Sequence, residues 1–579
     1  MTAPLIAMDP PWTCDSLRAE IAVLSRRHGA RQRQRDVLDM PDELLLAIFE
    51  FVDGFDPDPS SRSLALDRAS WGGGDHGDVP PPMYYCGRTR VSDIKSIRLV
   101  CRRFNALASG LLVRLVRVYP TAASLAQFDA ISRHPTISKG VRGVFVVLHF
   151  YAVECLDFRR FVRTHTFELS RQRTQFEESS RAGGQPSGLH DEDAAEVLDK
   201  ALEAYNYLDS MYLNPGDGSD DDGGGLDGSS DDDVNDANDG ETPGDPLGRE
   251  FEARRRRIHR IHEEFCSRLN EAEVLVDGGA FAQAMGTAMA RLPGPLELGF
   301  GDSDSVRPRE VMVGYGIDIW DAVYRRMLQP GCWPECRRGD LDLPCYEVVT
   351  GIITAAVQAG ALPCALRLHL ASLGYPRELD PSPDGRKAIV SGMPNLREFS
   401  FSYVDYANWE SAAAVGSLSG NLNEFLAPCL DMPNLRRVTV DLGCCALYVP
   451  LLDLAEILGM RARPCLTDLS LCGFVVRLPY LVQLLRALPD RLDRLHLAGI
   501  DLQDGTWREA LDVLRTKQYG MVRLEEACGA ECGAMLPKDY RDVFEELGDT
   551  GTNIASVYIM GLDPEAPNPL QKPEDNMAG

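Results

Sequence analysis

Cys332 and Cys336 are separated by three residues, with Cys345 beyond them, and Cys528-x3-Cys532 repeats that spacing. Thiolates so spaced could supply half of a tetrahedral zinc site. No Cys or His pair of matching style completes either half, so these read as core or loop thiols and no metal is expected. Residues 416–420, GSLSG, carry Leu at the centre, where a nucleophile elbow needs Ser. Neither G-x-x-x-x-G-K-S/T nor G-x-G-x-x-G occurs to cradle phosphates, and the 10 His form no H-E-x-x-H. The chain is therefore expected to be no enzyme and to take no cofactor, which leaves recognition as its chemistry.

Recognition groups come from a recurring strand pattern, L-x-x-L-x-L or a close relative. It appears as VRGVFV (141–146), ALRLHL (365–370), LREFSF (396–401), LRRVTV (435–440), LTDLSL (466–471), LDRLHL (492–497) and IASVYI (554–559), with PLELGF (295–300) a weaker copy. Side chains alternate along a strand, so the residues between the buried Leu positions share the opposite face. Arg367, His369, Glu398, Ser400, Arg437, Thr439, Asp468, Ser470, Arg494 and His496 form that face. As a set they are candidates to bind a protein target, and Arg437 and Arg494 would suit a phosphate. RRRRIHR (254–260) is another candidate, as an import patch or a contact for acidic sequence. Ile258 and Ile261 mark it more simply as the wet face of an amphipathic helix.

The elements that position these residues follow from the intervals. YVPLLDLAEILGM, RLPYLVQLLRALPD and TWREALDVLRTK read as helices between strands, so the fold class is α/β, a parallel sheet with helices on one side, repeated as a solenoid. The pattern is similar to leucine-rich repeats, but its intervals are uneven, and Ile500 stands where such repeats carry Asn or Cys. The solenoid is expected to begin at 119–180, to be interrupted by an insert at 181–248, and to continue over 249–562 before a tail at 563–579. The insert is rich in Asp and Gly, with no Lys or Arg between Asp217 and Asp245, and cannot bury enough apolar surface to offset its ordering entropy. A helix should follow it, striped by Phe251, Ile258, Ile261, Phe265 and Leu269.

Across 579 residues, 60 Lys+Arg stand against 87 Asp+Glu, a formal net charge of -27, which argues against nucleic-acid binding. No long apolar run spans a bilayer and no signal peptide opens the chain, so no membrane association is expected. The 16 Cys are scattered as free thiols of a reducing compartment, which implies a soluble protein of the cytoplasm or nucleus.

Residues 1–37 read as an N-terminal arm. After it, LDMPDELLLAIFEFVDG (38–54) predicts a helix entered at Pro41, with Leu44, Leu45, Ile48, Phe49 and Val52 along an inward stripe. Leu46 and Phe51 lie off that stripe and are apolar too. Beyond a Gly/Pro-rich loop at 54–90, VSDIKSIRLVCRRFNALASGLLVRLVRV resumes helical spacing at Ile94, Ile97, Val100, Cys101, Phe104 and Leu107, with Ser92 or Asp93 as cap.

Met40-Pro41-Asp42-Glu43-Leu44 and the run from Ile97 to Ser109 closely resemble the two halves of an F-box, whose pattern is Leu-Pro-x-Glu-Leu and then Leu-Arg-x-Val-Cys-Arg-x-Phe-Asn-x-Leu-Ala-Ser. Met40 takes the usual Leu place, and the 54–90 loop splits the motif within 38–118. The resemblance implies a small helical domain that docks onto a Skp-family adaptor and, through it, a cullin. Pro41, Glu43, Leu44, Ile48, Phe49, Val100, Cys101 and Phe104 are the residues it points to for adaptor binding. It implies a substrate-receptor subunit of a ubiquitin ligase whose array holds an unknown protein target. The array after the F-box also resembles, more weakly, the C-terminal half of fungal F-box proteins. The other reading is a scaffold or regulatory protein that keeps the fold without assembling a ligase, its extra apolar residues packing under the loop or on the array.

Overall fold

The structure, a computed structural model, describes residues 37, 40–52, 91–149, 151–165, 246–301, 324–325, 327–330, 345–370, 383–403, 425–442, 464–529 and 553–571, with Cys532, Met535, Tyr540, Val543 and Phe544. Most of the N-terminal arm, the 54–90 loop, nearly all of the acidic insert and the helix expected at YVPLLDLAEILGM lie outside them. The chain forms two compact units, residues 1–71 with 82–112 and residues 72–81 with 113–579.

The first unit holds α1 (Asp42–Val52), α2 (Val91–Val100) and α3 (Arg102–Ala108). Acids at Asp42 and Glu43 occupy the first turn of α1, where they favour the helix dipole. The single helix expected after residue 91 breaks at Cys101, which is extended at φ -161° and ψ 169°. There its sulfur accepts the Phe104 N–H at 3.4 Å, as the N-cap of α3. The core consists of Leu45, Phe49, Ile94, Phe104, Ala108 and Leu111, with Met40, Leu46, Ile97, Cys101, Leu107 and Leu112 packed around it. Arg103 donates to Asp42 Oδ1 at 2.7 Å and to the Met40 carbonyl at 2.6 Å, tying α3 to the start of α1. Arg98 donates to Asn105 Oδ1 and Ser109 Oγ at 3.0 and 2.9 Å, bracing α2 against α3 across the break.

The second unit is mixed α/β. Its elements are β1 (Leu115–Val118), α4 (Ala122–Arg133), β2 (Gly143–Val147), α5 (Pro246–Asp277), α6 (Ala280–Met289), β3 (Leu296–Gly301), α7 (Cys345–Gln358), β4 (Pro363–Leu370), α8 (Pro383–Gly392), β5 (Glu398–Tyr403), β6 (Arg437–Asp441), β7 (Asp468–Cys472), β8 (Val475–Arg477), α9 (Leu478–Ala487), β9 (Arg491–Ala498), β10 (Asp501–Asp504), α10 (Trp507–Arg515), β11 (Gln518–Glu525), β12 (Cys528–Gly529) and α11 (Ile554–Ile559). Nine strands form one sheet in the order β1-β2-β3-β4-β5-β6-β7-β9-β11, every pair parallel. The helix-side face is a continuous apolar layer, with Val144, Leu298, Leu366, Phe399, Val438, Leu469, Leu495 and Val522 buried in step. On α5, Ile258, Ile261, Phe265 and Leu269 are buried as their spacing predicts, while Arg257 stacks over the Tyr324 ring at 4.3 Å.

Differences from the sequence expectation have local causes. β1 belongs to the second unit, because Leu115–Val118 pairs with β2, so the first unit closes at Leu112 and not at 118. The strand expected at IASVYI is instead α11, capped by Asn553, whose side chain accepts from the Ser556 N–H at 2.8 Å. The edge of the large sheet is β11, in which Gly520 interrupts the apolar pattern.

A second sheet, β8-β10-β12, is also parallel and was not legible in the sequence. Each of its strands follows a long strand through a left-handed residue: Gly473 (φ 75°), Gly499 (φ 56°) and Glu526 (φ 49°). That conformation suits glycine, and Glu526 adopts it against its side chain. Next come Phe474, Ile500 and Ala527, all buried, so an apolar column fills the positions where Asn or Cys would bond the turns. Backbone bonds serve instead, from Asp501 N–H to the Phe474 carbonyl and from Cys528 N–H to the Ile500 carbonyl, each at 2.8 Å.

Candidate functional site

The small unit divides its apolar residues differently from the expected stripe. Leu45 and Phe49 point inward, and Phe49 meets Phe104 edge to face at 5.0 Å. Leu44 and Ile48, one turn apart on the other side of α1, stay 52% and 41% exposed. Leu46, expected on the outer face, is half-buried against the core; Phe51 lies outside the residues whose side chains are described. At the end of α2, Leu99 is 87% exposed and Val100 64%. Of the residues named for adaptor binding, Pro41, Glu43, Leu44, Ile48 and Val100 are thus on the surface. Phe49 and Phe104 are core residues, packed ring against ring. Cys101 is the half-buried cap of α3. Leu99 was missed, since helical spacing continued through Cys101 hides the break that turns it outward.

The second surface is the sheet face away from the helices. Strand register brings all ten expected residues onto it, on five neighbouring strands. One row runs Glu398–Arg437–Asp468–Arg494 and the next Arg367–Ser400–Thr439–Ser470–His496, each residue opposite the next. A third holds His369, Ser402 and Asp441. Ser402 and Asp441 continue the alternation beyond Ser400 and Thr439 and were findable from it. Arg523 and Glu525 were not, because β11 went unrecognised. Toward β2 the face is closed: Phe145 is buried, and a Cβ placed on Gly301 would lie 2.6 Å from its ring.

The charges on this face are joined to one another. Arg367 reaches Glu398 at 3.1 Å and Glu297 at 3.6 Å; Arg437 also pairs with Glu398; Arg494 lies 3.5 Å from Asp468; Arg523 pairs with Glu525. Arg437 and Arg494, which the sequence suggested would suit a phosphate, are thus not free cations. Each already faces a carboxylate on the adjacent strand.

Both histidines are neutral at physiological pH. Burial pushes the His369 imidazole down to about 4. For His496 burial leads, the Arg523 cation adds to the downward shift, and Asp441 opposes it. His369 Nδ1 is hydrogen-bonded with the Ser402 hydroxyl, and His496 Nδ1 lies 3.0 Å from Ser470 Oγ. Ser470 beside a neutral His, with Glu525 3.6 Å from His496 Nε2, has the residue types of a nucleophile, base and acid. In a parallel sheet, however, the N–H groups lie in the sheet plane and are taken by the neighbouring strands. They cannot turn toward an oxyanion above Ser470, so the arrangement suits hydrogen-bonding recognition better than acyl transfer.

Among the described residues, no group of three or more His, Cys, Asp or Glu is placed to hold a metal ion. Nor, among them, is any helix long and apolar enough to cross a membrane. The described cysteines, Cys528 and Cys532 included, are free thiols, and burial raises Cys155 to about 11. No family model, no curated protein and no solved structure matches the chain.

Proposed function

We propose that this chain is a substrate-receptor subunit of a Skp–cullin–F-box ubiquitin ligase. On this reading the first unit is an F-box that docks onto a Skp-family adaptor. The second is an irregular leucine-rich-repeat-like solenoid that holds a protein target. The chain itself performs no chemistry; it raises the target's effective concentration near the activated ubiquitin.

The observation that carries this reading is the exposure of Leu44, Ile48, Leu99 and Val100 on a unit whose own core is already filled. Large apolar side chains left outside so small a core mark an interaction surface. The F-box-like sequence supplies the kind of partner. Strictly sequential strand order in an all-parallel sheet supports the solenoid part, since each strand–helix unit then packs on its neighbours in the chain.

The test is co-purification of the full chain with a Skp-family adaptor and its cullin, beside a Leu44→Ala/Ile48→Ala variant. Burying one such side chain contributes about 1.5–3 kcal/mol, so the double variant should lose adaptor affinity by at least about 100-fold while keeping its circular dichroism. If the wild-type chain retains no adaptor, the scaffold reading replaces this one.

A further inference from the structure

We draw no further inference here: the strongest candidate, the sheet face away from the helices with its His369–Ser402 and His496–Ser470 pairs, carries nothing because nothing in the structure shows what covers it.

Discussion

The rings of Phe49 and Phe104 meet edge to face, centroids 5.0 Å apart at an interplanar angle of 69°, and so bind α1 to α3 from inside the small unit. Leu44 and Ile48, on the same helix as Phe49, face out. One helix therefore has an inner face that sets stability and an outer face left exposed, and the two are separable by mutation.

Phe49→Ala or Phe104→Ala should destabilise the small unit by about 3–5 kcal/mol, the cost of emptying a buried aromatic site. Leu44→Ala and Ile48→Ala should change its stability by less than about 1 kcal/mol. Denaturant titration of the full chain, followed by a probe within residues 40–112, checks both. Equal losses at all four positions would show that the outer face is packed after all.

At Cys101 the cap of α3 rests on a sulfur acceptor 3.4 Å from the Phe104 N–H. Sulfur accepts weakly, whereas a hydroxyl is a preferred cap. Cys101→Ser should hold or raise stability, and Cys101→Ala should lower it by about 0.5–1 kcal/mol. Thermal midpoints of the two variants, compared with wild type, decide the matter.

Asn553 closes the open edge of the large sheet. Its amide donates to the carbonyls of Leu524 and Phe544, the latter at 2.8 Å, while the neighbouring Ser556 hydroxyl accepts the Leu524 N–H at 3.1 Å. Asn553→Ala would leave buried carbonyls unpaired and α11 uncapped, for a loss of about 2–3 kcal/mol. Amide exchange should then speed up along 518–525 and 554–559 and not in the small unit. Protection unchanged at Leu524 would show that another group seals the edge.

His369 and His496 make stability depend on pH. Both are held below 6.5 in the folded chain, His369 at about 4, and both regain the ordinary value on unfolding. Between 6.5 and about 4 the unfolded state therefore binds more protons, so stability rises with pH across that window. It is fully present above 6.5 and declines as the pH falls. Denaturant midpoints should drop between about pH 7 and pH 5, and His369→Gln/His496→Gln should flatten that drop. An identical drop in the double variant would assign it to other groups.

By itself the sequence determined the strand pattern and the sharing of faces. Alternation of side chains is a property of one chain segment, so Ser400, Thr439 and Ser470 fall on one face whatever lies beside them. The same holds for Ile258, Ile261, Phe265 and Leu269, which a period of 3.6 places together on α5.

Only the tertiary structure decided which neighbours meet. That Arg437 pairs with Glu398 depends on register between strands 39 residues apart, and no local pattern encodes it. The apolar residues of α1 surround more of the helix than three short helices can cover, so only packing could choose Leu45 and Phe49 over Leu44 and Ile48. IASVYI has the β-branched and aromatic composition of a strand, yet the two groups of Leu524 that a tenth strand would pair with are taken by Asn553 and Ser556. The strands of the second sheet, two to four residues long, are too short to carry a period at all. Each of these outcomes was set by competition for a partner across the fold, which the order of residues along one segment does not record.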